Sequence, residues 1–171
     1  MGDGRNLSRT VGLGARSWLY AAYVGVAAVM LAFAATGHPR PGGDGLVRYR
    51  VMNGAIPEPL TDQPGDPERG RRIALDREGG DCTICHAMPL PQRQFHGTIG
   101  PPLDGVGRRY TAGELRLRLV DPKRIVPESI MPAYYKTDGL QHVLERYQGK
   151  PILTAQQIED VVAYLLTLRQ E

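Results

Sequence analysis

The sequence predicts an all-α domain. Thr111-Ala112-Gly113-Glu114 and Thr154-Ala155-Gln156-Gln157 are capping boxes, each running into apolar residues at helical spacing. Asp66-Pro67-Glu68 offers an N-cap, a proline at the first helical position and an acidic first turn. Between Gly37 and Pro67 there is one short strand-like alternation, at Val47, Tyr49 and Val51. At 171 residues the chain accommodates one domain plus an extension.

The first element reads as an export address. Arg5, Arg9 and Arg16 precede an uncharged run from Ser17 to Gly37, and Ala32-Phe33-Ala34 supplies the small residues that a signal peptidase accepts. The apolar stretch from Trp18 to Ala35 is 18 residues, between the roughly 7 to 15 of a signal core and the roughly 20 of a membrane span. Residues 1–34 are expected to be a signal peptide cleaved after Ala34; left uncleaved, they would be a membrane anchor. Either outcome puts the remainder in the periplasm, because the basic residues before the run favour the inside.

Residues 35–65 are dense in glycine and proline and read as a linker and extended arm, with residues 66–171 as the folded domain. The first helix should start at Asp66-Pro67 and carry Ile73 and Ala74 toward Gly79-Gly80. A second is expected over Thr111 to Val120, stopped by Asp121-Pro122. The last starts at Thr154 and repeats Ile158, Val161, Val162, Leu165 and Leu166 on one face. Gly97 to Arg109, rich in glycine and proline, is expected to be an irregular loop, and Leu140 to Tyr147 one more short helix.

The chemistry lies between the first two helices. The chain has two cysteines, both in Cys82-Thr83-Ile84-Cys85-His86. In C-x-x-C-H the thiols form thioethers with the two vinyl groups of haem while the adjacent histidine lies under the iron. A zinc half-site would need a second ligand pair, and a thioredoxin-like pair a strand–helix–strand context. Cys82 and Cys85 are therefore read as covalent attachment sites for one haem c, and His86 as an axial iron ligand. The fold expected around such a group is the class I cytochrome c-like fold. No cysteine is left for a disulfide or for attack on a substrate.

The other axial position decides between moving electrons and binding small molecules. Met131 is the best candidate, in a Pro127-to-Pro132 stretch whose prolines stiffen a non-helical loop. Met88 is too near His86 to reach the opposite face, Met52 lies in the linker and Met30 in the export segment. His96, His142 and an open site remain as alternatives. The Pro101 carbonyl, in Gly100-Pro101-Pro102-Leu103, can accept from the second nitrogen of the axial histidine. Arg108-Arg109 and Lys123-Arg124 can steer an acidic partner or pair with haem propionates. Without Arg5, Arg9, Arg16 and Asp3 the chain carries 18 basic against 17 acidic side chains, which gives no case for nucleic acid.

Gln94-Phe95-His96-Gly97-Thr98-Ile99-Gly100-Pro101-Pro102-Leu103-Asp104-Gly105-Val106-Gly107, Ile130-Met131-Pro132-Ala133-Tyr134-Tyr135 and Gly149-Lys150-Pro151-Ile152-Leu153-Thr154 resemble the SoxX family of sulfur-oxidation cytochromes. The resemblance runs from about Gly54 to Leu168 and includes Ile56-Pro57-Glu58-Pro59-Leu60. It implies a mono-haem periplasmic subunit paired with a SoxA-type cytochrome, the pair acting as an L-cysteine S-thiosulfotransferase that couples thiosulfate to a cysteine of the SoxYZ carrier. Thiol chemistry would belong to SoxA; this chain, with Cys82 and Cys85 consumed and His86 and Met131 on the iron, would pass electrons to another cytochrome. A stand-alone or membrane-tethered carrier and a haem-based ligand sensor are the alternatives.

Overall fold

The computed structural model describes residue 1, residues 46–90 and residues 95–170, and among these Asp66 opens the first helix. That helix, α1, spans Pro67–Ala74, and the Asp66 carboxylate accepts from the amides of Glu68 and Arg69. A one-turn helix, α2, spans Val106–Arg109; α3 spans Ala112–Val120 and α4 spans Ala155–Thr167. Both capping boxes are formed, by Thr111 with Glu114 and by Thr154 with Gln157. Among the described residues there is no strand, and no helix is long and apolar enough to cross a membrane. The apolar run from Trp18 to Ala35, the proposed cleavage after Ala34 and Met30 lie outside the described residues.

Two stretches differ from the sequence expectation. Gly97 to Arg109 is irregular only as far as Gly105, whose φ of 63° makes the turn into α2. The turn becomes helical because Gly107 lies on the end of α4: its amide donates to the Leu168 carbonyl at 3.0 Å, and a Cβ there would stand 2.5 Å from the Leu166 oxygen. From Leu140 to Tyr147 only Glu145–Tyr147 makes a helical turn, of the 3-10 type. Left-handed backbone at Gly139 (φ 63°) and His142 (φ 55°) interrupts the ladder, and Leu140 and Leu144 are exposed.

The core sits where α3 and α4 meet the arm. Ile56, Leu60, Leu117, Val120, Ile158 and Val161 are fully buried in it. The arm thus contributes core residues as well as a surface wrap. Its turn at Asn53-Gly54, both left-handed, folds Met52 back onto Ala55. Arg116 and Glu159 fasten it: the guanidinium donates to both Glu159 oxygens at 2.7 and 2.8 Å and to the Ile56 carbonyl at 2.6 Å. Glu159 Oε1 also accepts from the Leu60 amide at 2.8 Å. Every side-chain nitrogen and oxygen of this pair thereby has a partner, the condition for a buried ion pair to be tolerated.

α1 crosses α4 at Gly70, where a Cβ would fall 1.9 Å from the Asp160 carbonyl oxygen; only a glycine allows that approach. Asp160 anchors the crossing, accepting from Arg69 Nε at 2.9 Å and from the Asp66 amide at 2.8 Å. Burial pushes the Asp160 carboxyl up, but these donors, with Gln156, outweigh it and hold it below the ordinary carboxylate range.

Candidate haem-binding cavity

The segment after α1 wraps into a compact coil. Asp81 caps a 3-10 turn over Cys82–Ile84, and the His86 amide donates to the Cys82 carbonyl at 2.9 Å, so Cys82, Cys85 and His86 ride on one turn. The following loop is laced to it by three backbone bonds of 2.8 Å, from Gly97 to Thr83, Gly100 to Cys85 and Leu103 to Ala87. Two glycines make this possible. A Cβ on Gly97 would lie 1.9 Å from the Ile84 oxygen, and one on Gly100 would lie 2.3 Å from His86 Cε1. Gly100 therefore presents bare backbone to the imidazole, and His86 Nδ1 stands 2.7 Å from the Pro101 carbonyl oxygen.

This coil forms one wall of a cavity of about 790 Å³, inside the roughly 300–1,000 Å³ range of cofactor and ligand sites. Cys82, Cys85, His86 and Pro101 line that wall; Leu115, Arg118 and Leu119 of α3, Leu165 of α4, and Met131 and Tyr134 of the loop after α3 also line the cavity. The Met131 loop is lightly held, its amide donating to Ser129 Oγ at 3.2 Å. It is anchored behind by Tyr134, whose amide donates to the Leu119 carbonyl at 2.9 Å. Ile99, Val126 and Ile130 line the cavity and are also exposed, Ile130 by 77%.

The surroundings of the cavity disfavour ionisation of Cys82 and Tyr134. Burial, then the charge of Asp81, push the free Cys82 thiol up to about 12, and Cys82 Sγ donates to the Gly80 carbonyl. Burial, then the neighbouring Cys82 and Cys85 sulfurs, push the Tyr134 phenol up. Two sulfurs at one edge, an oriented imidazole beside them, a thioether on another side and mostly apolar walls suit a flat apolar macrocycle attached through sulfur and bound through iron.

The other residues named from sequence lie elsewhere. His96 lines a smaller depression of about 470 Å³ with Arg77, Asp81 and Phe95, and its Nδ1 accepts from the Met88 amide at 3.0 Å. Met88 is buried with Ala74, Leu90 and Tyr164, Met52 is exposed on the arm and His142 is exposed. Arg109 lines the large cavity, whereas Arg108, Lys123 and Arg124 do not. Sequence reasoning missed Arg118, whose guanidinium carbon stands 3.8 Å from the centroid of the Tyr110 ring. Its place in a Leu-Arg-Leu-Arg-Leu run signals a solvated charge rather than a cavity wall.

The cytochrome c family model matches residues 67–169, which hold this coil, the cavity and helices α1 to α4. The chain belongs to the cytochrome c family. The fold is accordingly the all-α, class I cytochrome c type, and the family's prosthetic group is haem c. Among solved structures, the crystal structure of SoxXA from P. pantotrophus is 43% identical, with a TM-score of 0.66, over 71% of this chain and 95% of that one. The SoxX resemblance of the sequence is thus matched in three dimensions. No curated protein matches the chain in sequence.

Proposed function

We propose that the chain is the electron-transfer subunit of a SoxAX-type thiosulfate-oxidising complex in the periplasm, with one haem c held by Cys82 and Cys85 and with His86 and Met131 as its axial ligands. The observation that carries this reading is that all four residues line one cavity, while the rival donors His96, Met88, Met52 and His142 do not. Family membership supports the haem, and the match to SoxXA supports a SoxA-type partner. When bound, the haem supplies one-electron exchange at its iron.

The residues of the chain orient that exchange. Pro101 can only accept through its carbonyl, so Nδ1 of His86 carries the proton and Nε2 is left as the nitrogen with a free lone pair. Gly100 fixes the ring plane by contact. The Met131 thioether, as the second ligand, would favour the reduced state of a bound haem and fill the site, as a carrier needs. Both thiols of the chain would be consumed by attachment, which leaves the thiol chemistry of an L-cysteine S-thiosulfotransferase to the SoxA-type subunit, the substrate cysteine to a SoxYZ-type carrier and onward transfer to another cytochrome.

The test is optical. Ferric wild-type protein should show the weak near-infrared charge-transfer band of methionine-bound haem, and Met131→Ala should lose it while keeping covalent haem. A wild type without the band, binding carbon monoxide when reduced and native, would overturn the carrier reading in favour of a ligand-binding haem.

A further inference from the structure

Two arginines face the large cavity, and they are held differently. Arg109 spends its guanidinium on the loop, donating to the carbonyls of Pro102, at 2.8 Å, and Asp104. Arg118 donates from Nη1 to the Glu114 carbonyl one turn back, at 2.9 Å, and lies flat on Tyr110. Tyr110 itself lines the cavity. Arg118 Nε and Nη2 have no acceptor among the described residues. The acid nearest along the helix, Glu114, is committed to the capping box, its Oε2 accepting from the Thr111 amide and hydroxyl at 2.8 Å each. The other charged or titratable groups facing the cavity are Asp81, Cys82, Cys85, His86, Arg109, Glu128 and Tyr134.

A guanidinium braced from two sides, with donors unused and an apolar cavity in front of it, is arranged to receive an anion. Stacking on a ring fixes its plane, and a fixed planar fork suits a carboxylate with two oxygens. We infer that Arg118, braced by Tyr110 and the Glu114 carbonyl, is the seat for one propionate carboxylate of the haem. This rests on the haem reading above and adds a residue to it. Neutralising a propionate near the iron removes a negative charge that would otherwise favour the ferric state, so Arg118 raises the reduction potential.

The experiment compares haem-loaded full-length wild type, Arg118→Met and Arg118→Lys by redox titration and by the propionate bending bands of the resonance Raman spectrum. Arg118→Met should lower the midpoint potential and shift one propionate band. Arg118→Lys should recover most of the potential but not the band position, because an ammonium supplies the charge without the fork. Should Arg118→Met fail to accumulate, the band position in Arg118→Lys carries the test alone. Propionate bands at wild-type positions in the substituted proteins would overturn the seat whatever the potential does, since Arg118 would then act only as a distant charge or as packing. Wild-type protein without covalent haem would overturn both readings, whereas haem present with unmoved bands would overturn only this one.

Discussion

The two sides of the cavity that carry the candidate iron ligands are built to different standards. On the His86 side, three cross-loop backbone bonds of 2.8 Å, a glycine against the ring and a carbonyl on Nδ1 leave the imidazole one orientation. On the Met131 side, a serine hydroxyl at 3.2 Å supports the loop locally, and its neighbours Val126 and Ile130 are exposed. On the proposed ligation, a rigid His86 beside a lightly held Met131 means that the first has to be correct before attachment, while the second can adjust to the iron afterwards. Exchangeability therefore belongs to the methionine side.

The largest expected effect should erase the difference. Arg116→Met strands the Glu159 carboxylate in the core, at a cost of about 3–5 kcal/mol, and both sides should be lost in one transition because α3 and α4 underlie both. Denaturant unfolding followed in parallel by helix signal and haem absorbance checks this; two separate transitions would show the sides to be independent. An intermediate effect should expose the difference. Gly100→Ala drives a methyl into the His86 ring and should cost about 1–3 kcal/mol by overpacking, against about 1 kcal/mol or less for Ser129→Ala. Thermal unfolding of the two variants ranks them, and equal costs would contradict the contrast.

The smallest effect lies away from the cavity and sharpens the comparison by isolating the frame. Asp160 has a lowered folded value, so its contribution is complete above the unfolded carboxyl value of about 3.9 and disappears as the pH falls through the folded one. Asp160→Asn should flatten the acid limb of the stability profile measured at several pH values, with the His86 side unchanged at neutral pH. A variant as acid-sensitive as wild type would mean that the crossing of α1 and α4 does not depend on that carboxylate.

What the sequence made legible was local. Thr111 with Glu114 and Thr154 with Gln157 are three residues apart, so their helix starts could be read directly, and Cys82 to His86 carry their chemistry within one turn. What it hid was set by tertiary packing. The run from Leu115 to Leu119 alternates leucine and arginine, a pattern that in isolation turns the arginines toward solvent. In the fold Arg116 is buried against Glu159 and Arg118 faces the cavity, because α3 is enclosed by the arm, α4 and the cavity at once. The arm gave the same difficulty: its glycines and prolines signal a linker, and only the burial of Ile56 and Leu60 makes it part of the core.

Glu159 binds the Leu60 amide, 99 positions earlier, and Arg116, 43 positions earlier. Contacts so distant in sequence form late, and here the last helix supplies the carboxylate on which the first and middle segments converge. A chain emerging from its N-terminus thus presents Cys82 and Cys85 well before the clasp over its core can shut. The order of synthesis leaves the two proposed attachment residues accessible during the interval in which a cofactor would be joined to them.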